Sequence, residues 1–148
     1  MSDLGKFEKN LARTMRNAQQ RALRLAGREI KALLVAASQG INDLGAFKNG
    51  WYTTAIFDRM EVGNTAPHAV FVENGRRPGA RPPPVAAIMP WVMRHIGDPR
   101  AAFPIARNIG IRGIQARPVL GPNLARIGTL FREAMEACLA EATQEAVP

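Results

Sequence analysis

Apolar or small side chains recur through the first forty residues in steps of three and four: Leu4, Phe7, Leu11, Met15, Ala18, Ala22, Ala26, Ile30 and Leu33. An α-helix turns about 100° per residue, so these positions share one side of a helix. Lys9, Arg13, Arg16, Gln20, Arg24, Arg28 and Lys31 fall on nearly the opposite side. The pattern predicts one long, one-sided, basic helix from residue 4 to about residue 38. No proline interrupts it, and Gly40 is placed to stop it. Gly5 and Gly27 each weaken an isolated helix by about 1 kcal/mol relative to alanine, so this helix is expected to depend on packing.

After Gly40 the pattern changes. Ile41 to Gly50 reads as a loop or short turn. Trp51 to Phe57 (WYTTAIF) is aromatic and β-branched and predicts a strand, with Arg59 to Gly63 as its hairpin partner across a turn near Asp58. Gly63-Asn64 breaks that pattern. Pro67 suits the first turn of a helix, and Gly75 suits a stop, so Ala69 to Glu73 reads as a short helix in preference to a strand. Arg76 to Pro84 (RRPGARPPP) holds too many prolines for regular structure. Val85 to Ile96 is a proline-opened helix with Val85, Ile88, Met89, Val92 and Ile96 on one face and Pro90 inside it. Phe103 to Ile111 is another helix, closed by Gly113, and Gln115 to Pro122 is a loop. From Asn123 to about Glu145 a final amphipathic helix presents Leu124, Ile127, Leu130, Phe131, Met135, Cys138 and Leu139 as its buried face.

These elements predict an α+β fold. The first and last helices pack on a small antiparallel sheet, with Pro/Arg-rich loops between. The expected organisation is a single domain over 1–148: a basic helix over 1–40, a core of sheet, loop and short helices over 41–122, and a C-terminal helix over 123–148.

Composition narrows the partners. A hydrophobic fraction of 47% supports a packed core. No apolar run approaches the roughly 18 residues that cross a membrane, and the opening MSDLGKFEKN is too polar for a secretory signal. The net charge of +8 is unevenly spread. Residues 1–40 hold eight lysines or arginines against three acids, residues 41–100 seven against five, and the last 48 five against four. The excess therefore sits in the first helix, and it favours an anionic neighbour such as nucleic acid or an acidic protein face. The single cysteine, Cys138, lies among Ala, Met and Leu and reads as a buried thiol in a reducing cytoplasm.

The residues offer little for catalysis. His68 and His95 belong to no metal-binding spacing, so no metal and no cofactor is expected. The only serines, Ser2 and Ser38, lie at a terminus and a helix end. Cys138 has no activating cation beside it in sequence. GRRPGARP lacks the GK[ST] of a phosphate-binding loop. Glu61 and Glu73 are expected to pair with Arg59, Arg76 or Arg77 at the surface rather than act as acid and base. The basic stripe of Lys9, Arg13, Arg16, Arg24, Arg28 and Lys31 reads either as a solvated face or as a contact for phosphates or an acidic partner. Arg76, Arg77 and Arg81 place three guanidinium groups on a proline-stiffened loop suited to docking.

Several segments together resemble a known family. They are Gly50-Trp51, then Val62-Gly63-Asn64, Ala66-Pro67-His68-Ala69, Val72-Glu73 and Gly75, then PPPVAAIMPWV, Phe103-Pro104-Ile105-Ala106-Arg107, and finally Gly113-Ile114, Ala116-Arg117-Pro118 and Leu120. Over roughly residues 45–135 the chain is similar to the neck and tail-completion proteins of long-tailed bacteriophages, the group that includes minor tail protein Z. It differs at His68, where that family usually has Tyr, and at Asn74, often aromatic there. The resemblance implies a non-enzymatic virion part without cofactor, assembled in the host cytoplasm and lodged at the head–tail junction. It implies a homo-oligomeric ring, six copies by analogy with other neck and tail rings. Its partners would be a head-closure or adaptor protein on one side and a tail-terminator or tail-tube protein on the other, with DNA passing through the lumen and no membrane contact. Glu73, Gly75, Arg117 and Pro118 would be structural or interface points. The rival expectation is a small cytoplasmic basic DNA-binding protein; an enzyme using Glu73 as a base has little support.

Overall fold

The computed structural model describes residues 3–41 and 44–146. The periodic first segment forms α1 (Asp3–Ala37) and the last forms α6 (Leu120–Ala146). These two long helices pack on each other along most of their length. Their seam has two parts. Ala18 and Ala22 of α1 meet Cys138 and Ala142 of α6, with Met15 and Met135 at the edges. Short side chains there let the backbones approach closely. Further along, Ala26, Ile30 and Leu34 join Leu130, Phe47, Trp51, Ala66 and Val119 in the main core. Low residue numbers of α1 thus meet high residue numbers of α6, so the pair is antiparallel.

The expected apolar stripe of α1 is buried in its middle, from Ala18 to Ile30, and Leu11, Met15 and Leu33 are half-buried. Leu4 and Phe7 are exposed, contrary to the pattern. Among the described residues, the seam with α6 reaches only as far as Met15. On α6, Leu124 and Leu139 are exposed rather than buried; Leu139 lies about 100° round the helix from buried Cys138, whereas Leu124 shares the buried face and is left uncovered near the start of the helix. Cys138 is a buried free thiol.

Strands β1 (Trp51–Ile56) and β2 (Arg59–Asn64) form an antiparallel hairpin, with Trp51 opposite Asn64 and Ile56 opposite Arg59. The hairpin lies on α1. Thr53 Oγ1 donates to the Gly27 carbonyl (3.1 Å), and a Cβ on Gly27 would come within 2.9 Å of that hydroxyl. Gly27, a weak helix former in isolation, is the site where the sheet seats. Gln20 Nε2 donates to the Phe57 carbonyl at the hairpin tip (2.6 Å).

One turn of helix, α2 (Ala46–Asn49), precedes the hairpin. It directs Phe47 into the core, where its ring meets Trp51 edge-on at 5.4 Å between centroids. The Trp51 indole N–H donates to Ser38 Oγ (2.8 Å), and that hydroxyl donates to the Leu34 carbonyl (2.7 Å). Ser38 is wholly buried, and the relay satisfies both polar side chains there.

The remaining elements are α3 (Ala69–Asn74), α4 (Val85–His95), a 3-10 turn (Pro99–Ala101) and α5 (Ala102–Arg112). The short helix expected before Gly75 is therefore present. Helices α4 and α5 pack mainly on one another and on the turn between them. They form an arm with its own small core of Val92, Ala102 and Ala106. Pro90 lies within α4. The last helix starts at Leu120, three residues before the expected Asn123. Pro122 falls in its first turn, where a missing N–H leaves no helical bond unmade.

Candidate functional site

Two motif segments, Val72 to Arg76 and Gly113 to Leu120, are far apart in sequence and meet in space. Helix α3 ends at Gly75, whose φ of 69° and ψ of −165° turn the chain sharply. A Cβ on Gly75 would sit 2.6 Å from the Ile114 carbonyl and 2.8 Å from the Ala116 nitrogen. Only glycine permits that approach. Arg76 and Ile114 then exchange both backbone hydrogen bonds, at 2.8 and 2.9 Å, as an isolated antiparallel bridge. Gly113 adopts φ 74°, and a Cβ there would collide with the Arg76 carbonyl. The bridge ties the start of the Arg76 to Pro84 loop to Ile114, just ahead of the Gln115 to Pro122 loop.

Glu73 completes the junction. Its carboxylate accepts the Val119 N–H (3.0 and 3.1 Å to the two oxygens) and the Leu120 N–H (2.9 Å). These are donors at the start of α6 that no helical carbonyl can satisfy. The Arg117 N–H donates to the Val72 carbonyl (2.7 Å), one residue before Glu73. Glu73 is thus a helix cap supplied from 46 residues away, not the partner of Arg76 or Arg77. Glu61 differs from expectation too: it accepts a hydrogen bond from the Tyr52 hydroxyl (3.1 Å). That bond, then the negative charge of Glu61, then slight burial raise the Tyr52 pKa above its ordinary value of 10.0.

The arginine loop divides in two. Arg76 folds back: its guanidinium lies 5.3 Å from the Phe71 ring centroid and donates to the Arg81 carbonyl, while its Nε is buried without a partner. Arg77 and Arg81 are exposed, as are Arg117 and Pro118. Arg76 is therefore part of the scaffold, and the loop presents two outward guanidinium groups, not three. In the upstream motif, Asn64 Nδ2 donates to the Phe47 carbonyl (2.8 Å), and its Oδ1 accepts the Ala66 N–H (2.9 Å). The His68 ring lies 6.3 Å from that of Phe47, tilted by 38°.

Two surfaces remain for partners. The first is the basic face of α1, where Lys9, Arg13, Arg16, Arg24, Arg28 and Lys31 are all exposed. From Lys9 to Lys31 it runs about 33 Å at 1.5 Å per residue. The second is the α4–α5 arm. Trp91, Met93, Ile96, Phe103 and Ile111 are exposed there, Phe103 by 67%. Between the arm and the body lies a cleft of about 520 Å³ lined by Ile41, Phe47, His68, Ile88, Trp91 and Ile105, among others. Among the described residues, no group of three or more His, Cys, Asp or Glu is placed to hold a metal ion, and no helix is long and apolar enough to cross a membrane.

Periodicity could not find the Glu73 cap, the Ser38–Trp51 relay or the burial of Val119, which the sequence places in a loop. The signal that was available is the motif pair itself, since Glu73, Gly75 and the segment from Gly113 to Leu120 are the residues now in contact. No protein-family model matches the chain, and neither a curated protein nor a solved structure matches it significantly.

Proposed function

We propose that this chain is a structural component of the head–tail junction of a long-tailed bacteriophage, assembling as a ring between the head connector and the tail tube, with DNA passing through its lumen. The observation that carries the reading is the α4–α5 arm, which leaves Trp91, Met93, Ile96, Phe103 and Ile111 in water. Large exposed apolar patches, unlike singly scattered apolar side chains, mark contacts with other proteins. The junction of Glu73, Gly75, Gly113 and Arg117 supports the same reading, because it fixes the root of the arm. An arm offering apolar side chains suits subunit packing, and exposed Arg77 and Arg81 suit the rim of such a contact.

The test is the mass and shape of the assembly. Light scattering and electron microscopy of the purified chain, alone and with the head-closure and tail-terminator proteins encoded beside it, should give an annular oligomer with a central hole. A strict monomer under all these conditions overturns the proposal. Recovery of the chain from mature particles, at the neck, is the matching expectation in the virion.

One observation favours a second reading, a small basic DNA-binding protein: the exposed basic face of α1 is long enough to follow several phosphates. Such a protein binds duplex DNA unaided, with affinity falling steeply as salt rises. Tight, salt-sensitive DNA binding by the monomer would replace the ring reading with this one.

A further inference from the structure

The hairpin is pinned to α1 at two points, and a cavity lies between them. Thr53 donates to the Gly27 carbonyl, and Gln20 Nε2 donates to the Phe57 carbonyl. Gln20 and Gly27 are about 10 Å apart along the helix. Small Ala55 stands over α1 between these anchors, so strand and helix do not close on each other there. The space left is about 540 Å³, within the range of roughly 300–1,000 Å³ usual for small-ligand sites. Leu23, Ala55 and Met60 give it an apolar floor, and Arg24 and Arg28 line its side. Both arginines are exposed, so the cavity opens to water past them.

No carboxylate offsets this charge. Among the described residues, no acid lines the cavity, and neither guanidinium has a hydrogen-bond or ion-pair partner. Glu29 stands about 100° round the helix from Arg28 and about 140° from Arg24. Glu61 is paired opposite Thr54, on the hairpin face turned away from Thr53 and Ala55, and accepts the Tyr52 hydroxyl. Asp58 is exposed at the hairpin tip. Arg21 and Lys31, both exposed, lie within about 20° of the lines of Arg28 and Arg24 along the helix and add to the positive field. Arg24 and Arg28 are one turn apart, a spacing at which like charges repel. An anion bound between them turns that repulsion into attraction.

We infer that this cavity binds a nucleotide through its phosphate, with Arg24 and Arg28 on the phosphate oxygens and the sugar and base against the floor of Leu23, Ala55 and Met60. Each guanidinium is a planar fork that engages two oxygens. Two forks one turn apart suit an anion with more than two oxygens, which a phosphate has and a carboxylate lacks. The cavity is larger than a phosphate alone needs, and its apolar floor favours an organic group beside the anion. The nucleotide is either one unit of a nucleic-acid strand or a free mononucleotide, since both bring the same phosphate. The strand source rests on the ring reading proposed above, in which this side of α1 faces the lumen; the cavity itself does not depend on that reading.

Fluorescence anisotropy of a short labelled single strand of DNA tests the site on the full chain, with deoxyadenosine monophosphate, deoxyadenosine and polyglutamate as competitors. The wild type should bind the strand. Displacement by the monophosphate assigns the site to free nucleotides as well, and displacement by unlabelled strand alone assigns it to nucleic acid. Arg24→Gln with Arg28→Gln should bind the strand at least about tenfold more weakly. Arg13→Gln with Arg16→Gln, which removes the same charge outside the cavity, should lose less than about threefold. Ala55→Leu fills the floor, keeps every charge, and should also weaken binding. The arginine positions are exposed, so their variants should keep the wild-type circular dichroism spectrum. No binding by the wild type, equal loss in the two arginine pairs, or full binding by Ala55→Leu overturns the site. So does displacement by deoxyadenosine or polyglutamate as readily as by the monophosphate. Light scattering on the same samples separates the two ideas. A chain that assembles as a ring without binding either nucleotide probe loses the site and keeps the ring; one that binds at this cavity and never assembles keeps the site and loses the ring.

Discussion

Replacing Glu73 gives the sharpest test of how the fold is closed. Its carboxylate holds the Val119 and Leu120 N–H groups at 2.9–3.1 Å. Glu73→Ala removes three effects together. Loss of a helix cap costs about 0.5–2 kcal/mol. Hydrogen bonds to a charged acceptor contribute about 1.5–3 kcal/mol, and a negative charge at a helix N-terminus about 0.3–1 kcal/mol. These overlap, because one carboxylate supplies all of them. Glu73 is half-buried, so water can replace only part of what is lost. The expected destabilisation is about 2–4 kcal/mol for Glu73→Ala. Glu73→Gln keeps an acceptor oxygen but loses the charge, and should cost about 1–2 kcal/mol. Urea titration followed by circular dichroism reads both as a lower midpoint at unchanged slope. Amide exchange should also rise at Val119 and Leu120 before the rest of α6. An alanine variant within 0.5 kcal/mol of wild type would refute the claim that this residue anchors the last helix.

Other expectations follow from the same geometry. Gly113→Ala forces a side chain against the Arg76 carbonyl, whereas Gly79→Ala, at a similar φ of 76°, meets nothing within 4 Å. The second should cost only the left-handed strain of about 1–2 kcal/mol, and the first at least twice that; equal thermal shifts for the two would contradict the bridge between Arg76 and Ile114. Ser38→Ala leaves the buried Trp51 N–H unpaired and should cost about 1–3 kcal/mol. In the Ser38→Ala, Trp51→Phe double variant, the loss should be less than the sum of the two single ones, and strict additivity would deny the relay. Tyr52 is the only tyrosine, so ultraviolet absorbance of its phenolate titrates it alone, and the midpoint should lie above the ordinary 10.0. Because the folded value is the raised one, this contribution to stability is complete below the unfolded pKa and is lost as pH rises through the folded pKa. Glu61→Gln should move the midpoint back down; no movement would mean that Glu61 is not its cause.

The main elements of this fold were set by local pattern. The stripe from Ala18 to Ile30, the hairpin from Trp51 to Asn64, the stop at Gly75 and the buried thiol at Cys138 each follow from which side chains recur at a helical or strand period. That period records which face of an element is apolar, and so the α+β class was readable from the chain. The ends of the stripes were not: Leu4, Phe7, Leu124 and Leu139 satisfy the helical period and remain exposed, because the period does not say how far a partner helix extends. Tertiary structure alone decided what the motif residues do. A carboxylate at Glu73 and a turn at Gly75 look like surface features until Gly113 to Leu120 is folded against them. The same holds for Arg76, drawn inward by Phe71 and the Arg81 carbonyl, and for Val119, carried into the core by the helix that Glu73 caps. The contacts of Glu73 and Gly75 depend on closing loops of some forty residues, and no spacing along the chain encodes which donors will be left unpaired at the start of a distant helix.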